Sequence, residues 1–320
     1  MGMLVDGVWQ THNHFPTDSS GEFVRKPTTF RSAVTADGSS PFPAEAGRYH
    51  LYVSYACPWA HRTLIVRALR GLEEVVSVTS VDPYMGEDGW HFSDGPGCEP
   101  DPLLGAALLR EVYVAADPQF TGRVTVPILW DKVAGTIVNN ESTEIIRMLN
   151  EAFGPGLAAR PEVDLWPEGL REASDAMRER IYHRFNNGVY RAGFARSQTA
   201  YERAVVQVFE VLDELEAILA NQRYLCSDER LVEADICAFT TLLRFDPVYV
   251  GHFKCNIRRV VDYPNVWGYL RDLYQAPGVA PTCRLDHIKQ HYYRSHESVN
   301  PSRVVPVGPE LDLSTPHGRG

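Results

Sequence analysis

Cys57 has the surroundings of a reactive thiol in this sequence of 320 residues. It lies in the segment Ser54-Tyr-Ala-Cys-Pro-Trp-Ala-His-Arg62, where a predicted strand meets a predicted helix that begins at Pro58. A proline suits this position because its ring presets the helical φ angle. Unpaired N–H groups and the helix dipole favour a thiolate there, so we expect a lowered pKa for Cys57 and a nucleophilic role. The alternative is a buried structural cysteine at the end of a strand.

The chain contains six cysteines, and no two of them form a C-x-x-C pair. This spacing excludes the usual zinc ribbons and a dithiol redox site. Position 60 is alanine, so a mixed disulfide formed at Cys57 has to be resolved by a thiol from solution. We interpret the other cysteines as structural thiols of a reducing cytosol: Cys98, Cys226, Cys237, Cys255 and Cys283.

Pro127 and the pair Glu141-Ser142 are candidate binding residues. Pro127 opens a predicted strand, and we expect the Val126–Pro127 bond to be cis, as thioredoxin-type folds have it opposite the helix that bears the cysteine. The backbone of Val126 would then be available to a peptide-like ligand. Glu141-Ser142 cap the start of a predicted helix, where a carboxylate, a hydroxyl and N–H groups also suit the charged groups of an amino acid.

The elements that must position these residues form a predicted α/β domain. Tyr49, Leu51 and Val53 alternate with their neighbours as in a strand. A helix from Pro58 to about residue 70 and a second strand then complete a parallel βαβ unit. This second strand covers 75–81. The further predicted elements are a long connection over 82–122 with a helix at 103–113, a hairpin over 126–131 and 136–139, and a helix over 141–150.

We predict five segments along the chain. They are an irregular arm (1–47), an α/β domain (48–153), a linker (154–167), an all-helical domain (168–285) and a tail (286–320) whose last ten or so residues are disordered. The arm is expected to be held by its aromatic residues, Trp9, Phe15, Phe23 and Phe30. In the helical domain we predict helices over 170–195, 201–219, 233–245 and 265–275. Val232, before the third of these helices, lacks the hydroxyl that a reciprocal cap requires.

Composition and charge restrict the classes of partner. The chain has 31 basic and 41 acidic residues, a net charge of −10, which argues against nucleic acid or an anionic membrane as the main partner. No apolar run approaches the roughly 18 residues of a membrane helix, and the first residues lack a secretory pattern, so we expect a cytoplasmic protein. His287 and His291 are four residues apart without an evident third ligand, so we expect no metal.

The order of these motifs resembles that of the cysteine-type glutathione transferases. More narrowly, the chain is similar to the glutathionyl-hydroquinone reductases, the xi class, in segments spread over residues 48–308. These segments are Arg48-Tyr-His-Leu-Tyr-Val53, Gly89-Trp90, Val126-Pro-Ile-Leu-Trp-Asp131, Asn186-Asn-Gly-Val-Tyr-Arg-Ala-Gly-Phe194, His291-Tyr-Tyr-Arg-Ser-His296 and Asn300-Pro301. The resemblance implies the glutathione transferase fold, an α/β thioredoxin-like N-terminal domain plus an all-α C-terminal domain, in a homodimer with the tail over the active site.

The resemblance also implies an activity and a set of site residues. The family removes glutathione from glutathionyl-hydroquinones, here through a Cys57–glutathione mixed disulfide that a second glutathione resolves. By position, glutathione would be held by Trp90, Arg123, Val126, Glu141 and Ser142, while Pro58 and Pro127 would be structural. Tyr190, Tyr292 and Tyr293 would hydrogen-bond the aromatic group, and of the adjacent pair we favour Tyr293.

Three alternatives stay open at the level of sequence. The chain could be an omega-like thiol transferase or dehydroascorbate reductase, or a non-catalytic ligand-binding protein on the same fold. It could also use another low-molecular-weight thiol in place of glutathione. That last alternative arises because only Lys26, Lys132, Lys254 and Lys289 are lysines among 31 basic residues, a bias typical of GC-rich bacteria.

Overall fold

The computed structural model describes residues 2–11, 17–24 and 28–319. The chain forms two compact units, of which unit 1 contains residues 1–14 and 26–163 and unit 2 contains residues 15–25 and 164–320. The division between residues 163 and 164 falls inside the segment that we predicted as a linker. The predicted arm is divided between the two units, and Phe15, one of its expected anchors, lies outside the described residues.

Unit 1 is built around a four-stranded sheet. In chain order its described elements are β1 (Gly2–Val5), β2 (Val8–Thr11), β3 (Val34–Thr35), β4 (Phe42–Pro43), β5 (Tyr49–Val53), α1 (Pro58–Arg70), β6 (Val76–Ser80), α2 (Leu109–Ala116), β7 (Ile128–Asp131), β8 (Thr136–Asn139) and α3 (Ser142–Glu151). The sheet has the order β6-β5-β7-β8, with β5 parallel to β6 and antiparallel to β7. The predicted βαβ unit and the predicted hairpin are therefore confirmed.

Strand β5 is buried on both faces, although its sequence predicts one buried and one exposed face. His50 and Tyr52 are as inaccessible as the expected core residues Tyr49, Leu51 and Val53. The long connection after β6 covers this second face, because the Tyr52 hydroxyl donates to Asp101 at 2.8 Å and the Tyr52 ring meets Phe92 at 5.7 Å. The connection is therefore part of the core of unit 1.

Helix α2 begins later than the predicted range of 103–113. The Asp101 carboxylate accepts the backbone N–H groups of Leu103, Leu104 and Ala106, each at 3.1 Å, and so holds this stretch in a turn. A side chain that satisfies backbone donors in this way competes with helix formation. The helix starts only at Leu109, beyond the reach of Asp101.

The beginning of the predicted irregular arm is a β-hairpin. Strands β1 and β2 pair in antiparallel fashion from Gly2 with Thr11 to Val5 with Val8. The two residues between them, Asp6 and Gly7, have φ angles of 49° and 76°. Positive φ at both positions defines the hairpin turn that Asp-Gly favours, a local signal that the sequence analysis missed.

Two of the expected aromatic anchors of the arm pack within their own units. In unit 2, Phe23 lies 5.7 Å from the ring of Phe194. In unit 1, Phe30 stacks on Phe120 at 5.5 Å. The prediction that these two rings hold the segment is confirmed.

The described elements of unit 2 are helical except for turns and connections. They are α4 (Arg171–Ile181), α5 (Gly188–Gly193), α6 (Gln198–Leu219), α7 (Glu233–Arg244), α8 (Pro264–Gln275) and α9 (Leu285–Ser295), with π-helical turns at Tyr182–Asn186 and Phe245–Tyr249. On α6 the predicted apolar stripe is confirmed for its last five members, since Val205, Val208, Leu212, Leu215 and Leu219 are buried. Among the described residues, no helix has the length and apolar character needed to cross a membrane.

The predicted helix over 170–195 is interrupted by the first π-helical turn. There the Asn187 N–H donates to the carbonyl of Tyr182, five residues back. The widened turn places the buried Asn186 amide where it donates to the Cys237 carbonyl at 3.0 Å and to Thr241 Oγ1 at 2.8 Å. A buried amide needs such partners, and the neighbouring helix α7 provides them here.

The prediction of a disordered C-terminus is wrong for residues 311–319. Leu313 is buried, and its carbonyl accepts from Gln275 at 2.8 Å. Arg319 donates to the carbonyls of Leu219 and Gln222, at the end of α6, at 2.9 and 2.6 Å. A cation at a helix C-terminus satisfies carbonyls without a helical partner and is favoured by the helix dipole.

The reciprocal cap at the start of α7 is incomplete, as we expected, and only the half that Asp235 provides is present. Val232 has no side-chain acceptor, but the Asp235 carboxylate accepts the N–H of Val232 at 2.9 Å and the N–H of Leu225 at 2.8 Å. It also accepts from the Tyr269 hydroxyl at 2.7 Å. Asp235 is therefore a buried acceptor that joins three segments of unit 2.

The pH dependence of stability should report on Asp235. Burial raises the pKa of its carboxyl to about 6, whereas in the unfolded chain it titrates near about 4. Between these values the unfolded state has lost a proton that the folded state retains, so the free energy of unfolding falls as pH rises. In urea unfolding, wild type should lose stability relative to Asp235→Asn between about pH 4 and 6. Parallel stability curves for the two proteins would contradict this assignment.

Candidate active site

Cys57 is the residue that immediately precedes α1. Its φ and ψ angles of −77° and 120° are extended, while its carbonyl accepts the first helical hydrogen bond, from the His61 N–H at 2.9 Å. Pro58 is the first helical residue, as predicted. The half-buried Cys57 thiol thus stands at the positive end of a helix of 13 residues, the position at which a thiolate is stabilised.

Val126 lies beside Cys57. Its carbonyl oxygen is 3.6 Å from Cys57 Sγ, and the Val126–Pro127 peptide bond is cis, which confirms that prediction. The residue precedes β7, whose pairing with β5 begins at Ile128 opposite Tyr52. Its backbone therefore stands at the end of the sheet, beyond the β5–β7 ladder and next to the thiol.

The remaining cysteines differ from Cys57 in their environment. All six are thiols, and none is in a disulfide. Burial raises the pKa of Cys226, Cys255 and Cys283 to about 12, so these thiols stay protonated at neutral pH. Cys237 has no exposed surface in helix α7. Only Cys57 is both at a helix N-terminus and partly exposed.

Glu141 and Ser142 form the start of α3. Glu141 precedes the helix, and its carboxylate accepts the N–H of Thr143 at 3.4 Å and the Thr28 hydroxyl at 3.3 Å. Ser142 is buried, with its hydroxyl 3.5 Å from the same carboxylate. The capping role that we predicted is present, and the partly exposed carboxylate retains acceptor capacity for an ammonium group.

Trp90 and Arg123 lie in two separate connections of unit 1. Trp90 is buried, and its carbonyl accepts the N–H of Leu109 at the start of α2. Arg123 is partly exposed and follows Gly122, three positions before Val126. The cation therefore lies on the segment that leads to the backbone beside Cys57.

In unit 2, two of the three candidate tyrosines are hydrogen-bonded to each other. Tyr190 in α5 and Tyr292 in α9 bond through their hydroxyls. The hydroxyl of Tyr293 instead donates to the carbonyl of Pro247 at 3.4 Å. Consecutive helical residues point about 100° apart, so the adjacent pair cannot share one set of contacts. The geometry groups Tyr190 with Tyr292, not with the Tyr293 that we favoured.

Tyr249 belongs to the same hydroxyl cluster and was missed in the sequence. It ends the second π-helical turn, and its hydroxyl is 3.1 Å from that of Tyr292. Burial raises the pKa of Tyr249 and of Tyr292 well above the ordinary value, so both remain phenols. No local pattern distinguishes Tyr249 from a core aromatic residue, because its partners come from two other helices.

A pair of buried histidines adjoins this cluster. His252 Nε2 is 3.2 Å from His296 Nδ1, and the ring of Tyr293 lies 4.8 Å from that of His252. Burial lowers the pKa of His252 to about 3, so this imidazole is neutral. Within residues 2–11, 17–24 and 28–319, no group of three or more His, Cys, Asp or Glu side chains could hold a metal ion.

Comparison with known proteins identifies the class that the fold and the thiol site define. Residues 56–152 match the model of the glutathione S-transferase N-terminal domain, and residues 198–272 match that of the C-terminal domain. The chain is thus a glutathione transferase with a cysteine at the start of its first long helix.

Relatives that match the full length of the chain identify its subfamily within the glutathione transferases. The chain is 52% identical to "Glutathionyl-hydroquinone reductase YqjG" of Escherichia coli K12, over 100% of this chain and 98% of the relative. A glutathione-bound structure of that relative aligns with a TM-score of 0.91 at 50% identity, over 99% of each chain. The xi-class transferase of Natrialba magadii aligns with a TM-score of 0.93 at 52% identity, over 100% of this chain and 96% of that one. The chain belongs to the glutathionyl-hydroquinone reductases, the xi class of the glutathione transferases.

Selective alkylation should distinguish Cys57 from the other thiols. With limiting iodoacetamide at about pH 6.5, we expect Cys57 to be labelled first, because only a thiolate reacts and the helix start favours it. Peptide mass spectrometry measures the site and the rate. Cys98, also half-buried, is the matched comparison. Equal labelling rates at Cys57 and Cys98 would contradict an activated thiol.

Proposed function

We propose that this protein reduces glutathionyl-hydroquinones to hydroquinones with glutathione, and that Cys57 is the nucleophile. The observation that supports the mechanism is the partly exposed Cys57 thiol at the N-terminus of α1, with Ala60 where a second thiol would stand. The substrate class rests on the full-length similarity to a reductase of that name.

In the first step, the Cys57 thiolate attacks the sulfur of the glutathionyl thioether. A sulfur–sulfur bond forms, and the bond from that sulfur to the ring carbon breaks. The ring carbon takes the electron pair and a proton, so the aromatic group leaves as a free hydroquinone. The N–H groups at the start of α1 stabilise the thiolate before the attack.

In the second step, the thiolate of a second glutathione attacks the Cys57–glutathione disulfide. Oxidised glutathione leaves, and the Cys57 thiolate is regenerated. The external thiol is required because position 60 is alanine, and burial keeps Cys226, Cys255 and Cys283 protonated. The two glutathione molecules together supply the two electrons that reduce the substrate.

Glutathione would be bound by five residues of unit 1. The Val126 backbone, beside Cys57 Sγ, would pair with the cysteinyl backbone of glutathione. Glu141 and Ser142 would meet the ammonium and carboxylate of its γ-glutamyl end, where the N–H groups of α3 favour an anion. Arg123 would bind a carboxylate, and Trp90 would contribute an aromatic face.

The tyrosines would serve the aromatic part of the substrate. Tyr190 is the most accessible of the three tyrosines whose hydroxyls are bonded. It has 9% of its surface exposed, compared with 1% for Tyr292 and none for Tyr249. We propose that Tyr249 and Tyr292 orient the hydroxyl of Tyr190 toward a substrate oxygen. Burial keeps Tyr249 and Tyr292 protonated, so both can serve as hydrogen-bond donors within the cluster.

The proposed partners are small molecules, since the net charge of −10 opposes nucleic acid. Following the family, we propose a cytoplasmic homodimer, whose mass in light scattering should be twice the 35.9 kDa of one chain. Turnover with glutathione and with other cellular thiols, compared at equal concentration, would identify the thiol used.

Substitution of Cys57 tests the mechanism. We expect Cys57→Ala to lower hydroquinone release at least about a thousandfold, because the covalent route is lost, while glutathione still binds. Product release is followed by chromatography with reduced glutathione present. Cys98→Ser is the matched control and should retain wild-type turnover. Unimpaired turnover by Cys57→Ala would refute the mechanism, and a clear preference of wild type for small disulfides would favour a thiol transferase.

Removal of single hydroxyls tests the tyrosine cluster. We expect Tyr292→Phe to lower kcat for glutathionyl-hydroquinones about tenfold or more. Tyr249→Phe should lower the same kcat by a smaller factor, because the Tyr249 hydroxyl acts through that of Tyr292. Reduction of a small disulfide, which needs no phenol, should be unchanged in both variants. Tyr263→Phe removes another buried hydroxyl of unit 2, bonded to Asp213 at 3.1 Å, and serves as control. Equal loss in both reactions would indicate a merely structural role.

A further inference from the structure

The β1–β2 hairpin is bonded to the connection that leads to Arg123. Leu4 and Gly122 exchange both backbone hydrogen bonds at 2.9 Å, and the Gly7 N–H donates to the Phe120 carbonyl at 3.0 Å. The Asp6 N–H donates to Thr121 Oγ1 at 2.8 Å. The Thr121 hydroxyl in turn donates to the Asp6 carboxylate at 3.2 Å. These hydrogen bonds hold residues 120–122 against the hairpin, directly before Arg123.

The second strand of the hairpin holds a different connection. Trp9 Nε1 donates to the carbonyl of Glu87 at 3.1 Å, and a Cβ atom at Gly89 would lie 3.0 Å from the Trp9 ring. The Arg110 guanidinium lies over the same ring, 5.0 Å from its centroid, and bonds to Asp88 at 2.9 Å.

Trp9 is therefore packed between Arg110 and the turn at residues 86–89. The turn has a positive φ of 81° at Gly89, and Trp90 follows it directly. Glycine is required at position 89 on both counts, the backbone conformation and the close approach of the Trp9 ring. The indole therefore contacts the turn that leads directly into Trp90.

The hairpin thus contacts the two connections that bear Trp90 and Arg123, two of the residues assigned to glutathione. We propose that the β1–β2 hairpin is a positioning element of the glutathione site and that Trp9 is its principal positioning residue, acting through Trp90. This inference rests on the proposed function, since it takes Trp90 and Arg123 as glutathione ligands. It predicts an effect on binding of the glutathionyl group and none on the reactivity of Cys57.

The test is Trp9→Ala. Calorimetry with reduced glutathione, in a Cys57→Ser background that prevents turnover, should show about tenfold weaker binding, as expected for displaced ligand-binding groups. With Cys57 present, KM should rise by a similar factor for two glutathionyl-hydroquinones with different rings. The value of kcat at saturation and the pH dependence of Cys57 alkylation should match wild type. A merely destabilising change would lower kcat or the fraction of active enzyme instead.

Val8→Ala is the matched control, because Val8 is 60% exposed in the same strand, and it should bind glutathione as wild type does. In a Trp90→Ala background, Trp9→Ala should weaken binding by less than about twofold, since coupled residues are not additive. Trp9→Phe removes only the Nε1 donor and part of the ring, and should weaken glutathione binding about two- to threefold. This variant replaces Trp9→Ala in the test if Trp9→Ala does not fold.

Wild-type binding by Trp9→Ala, or by Trp9→Phe if Trp9→Ala does not fold, would overturn the inference. A full tenfold loss on top of Trp90→Ala would overturn it as well. Neither result touches the proposed function, because that function is tested separately, by hydroquinone release from wild type and from Cys57→Ala.

Discussion

A thiol attacks sulfur only as a thiolate, and in the proposed mechanism the Cys57 thiolate depends on the backbone N–H groups at the start of α1. That dependence constrains the rest of unit 1. Strand β5 must end one turn before the helix, β7 must run antiparallel to β5 so that Val126 lies 3.6 Å from the sulfur, and α3 must begin at the adjoining end of β8. The order β6-β5-β7-β8 meets all three conditions.

Burial produces opposite consequences at the thiols and at the phenols. It raises the pKa of Cys226, Cys255 and Cys283, which makes them poor nucleophiles, and it raises the pKa of Tyr249 and Tyr292, which keeps them as hydrogen-bond donors. In both cases a low-polarity environment disfavours the anion. Cys57 differs in position, because it is partly exposed at the N-terminus of α1. We therefore propose that thiolate chemistry is confined to Cys57, while the buried phenols remain neutral donors.

Two connections of unit 1, from β6 to α2 and from α2 to β7, are fixed by specific contacts. Asp101 uses its carboxylate to hold a turn against Tyr52, and Trp9 and Leu4 hold the connections that precede Trp90 and Arg123. Apart from the bonds of Asp101 within its own turn, these contacts join residues that are far apart in the chain. Connections without regular structure can present ligand-binding residues only if such contacts fix them.

The sequence by itself determined the candidate nucleophile Cys57, the proposed need for an external thiol, the cis proline, the order of strands and helices from β5 to α3 and the all-helical character of most of unit 2. These follow from local rules: helix-end chemistry, residue spacing and hydrophobic period. Only the tertiary structure decided that Tyr292 rather than Tyr293 joins Tyr190, that Tyr249 completes the cluster, that the first residues form a hairpin around Trp9 and that Arg319 caps α6. Apart from the Asp-Gly turn of the hairpin, these features depend on partners 40 or more residues away, as between Tyr249 and Tyr292. Local propensity and periodicity contain no information about which distant segments meet.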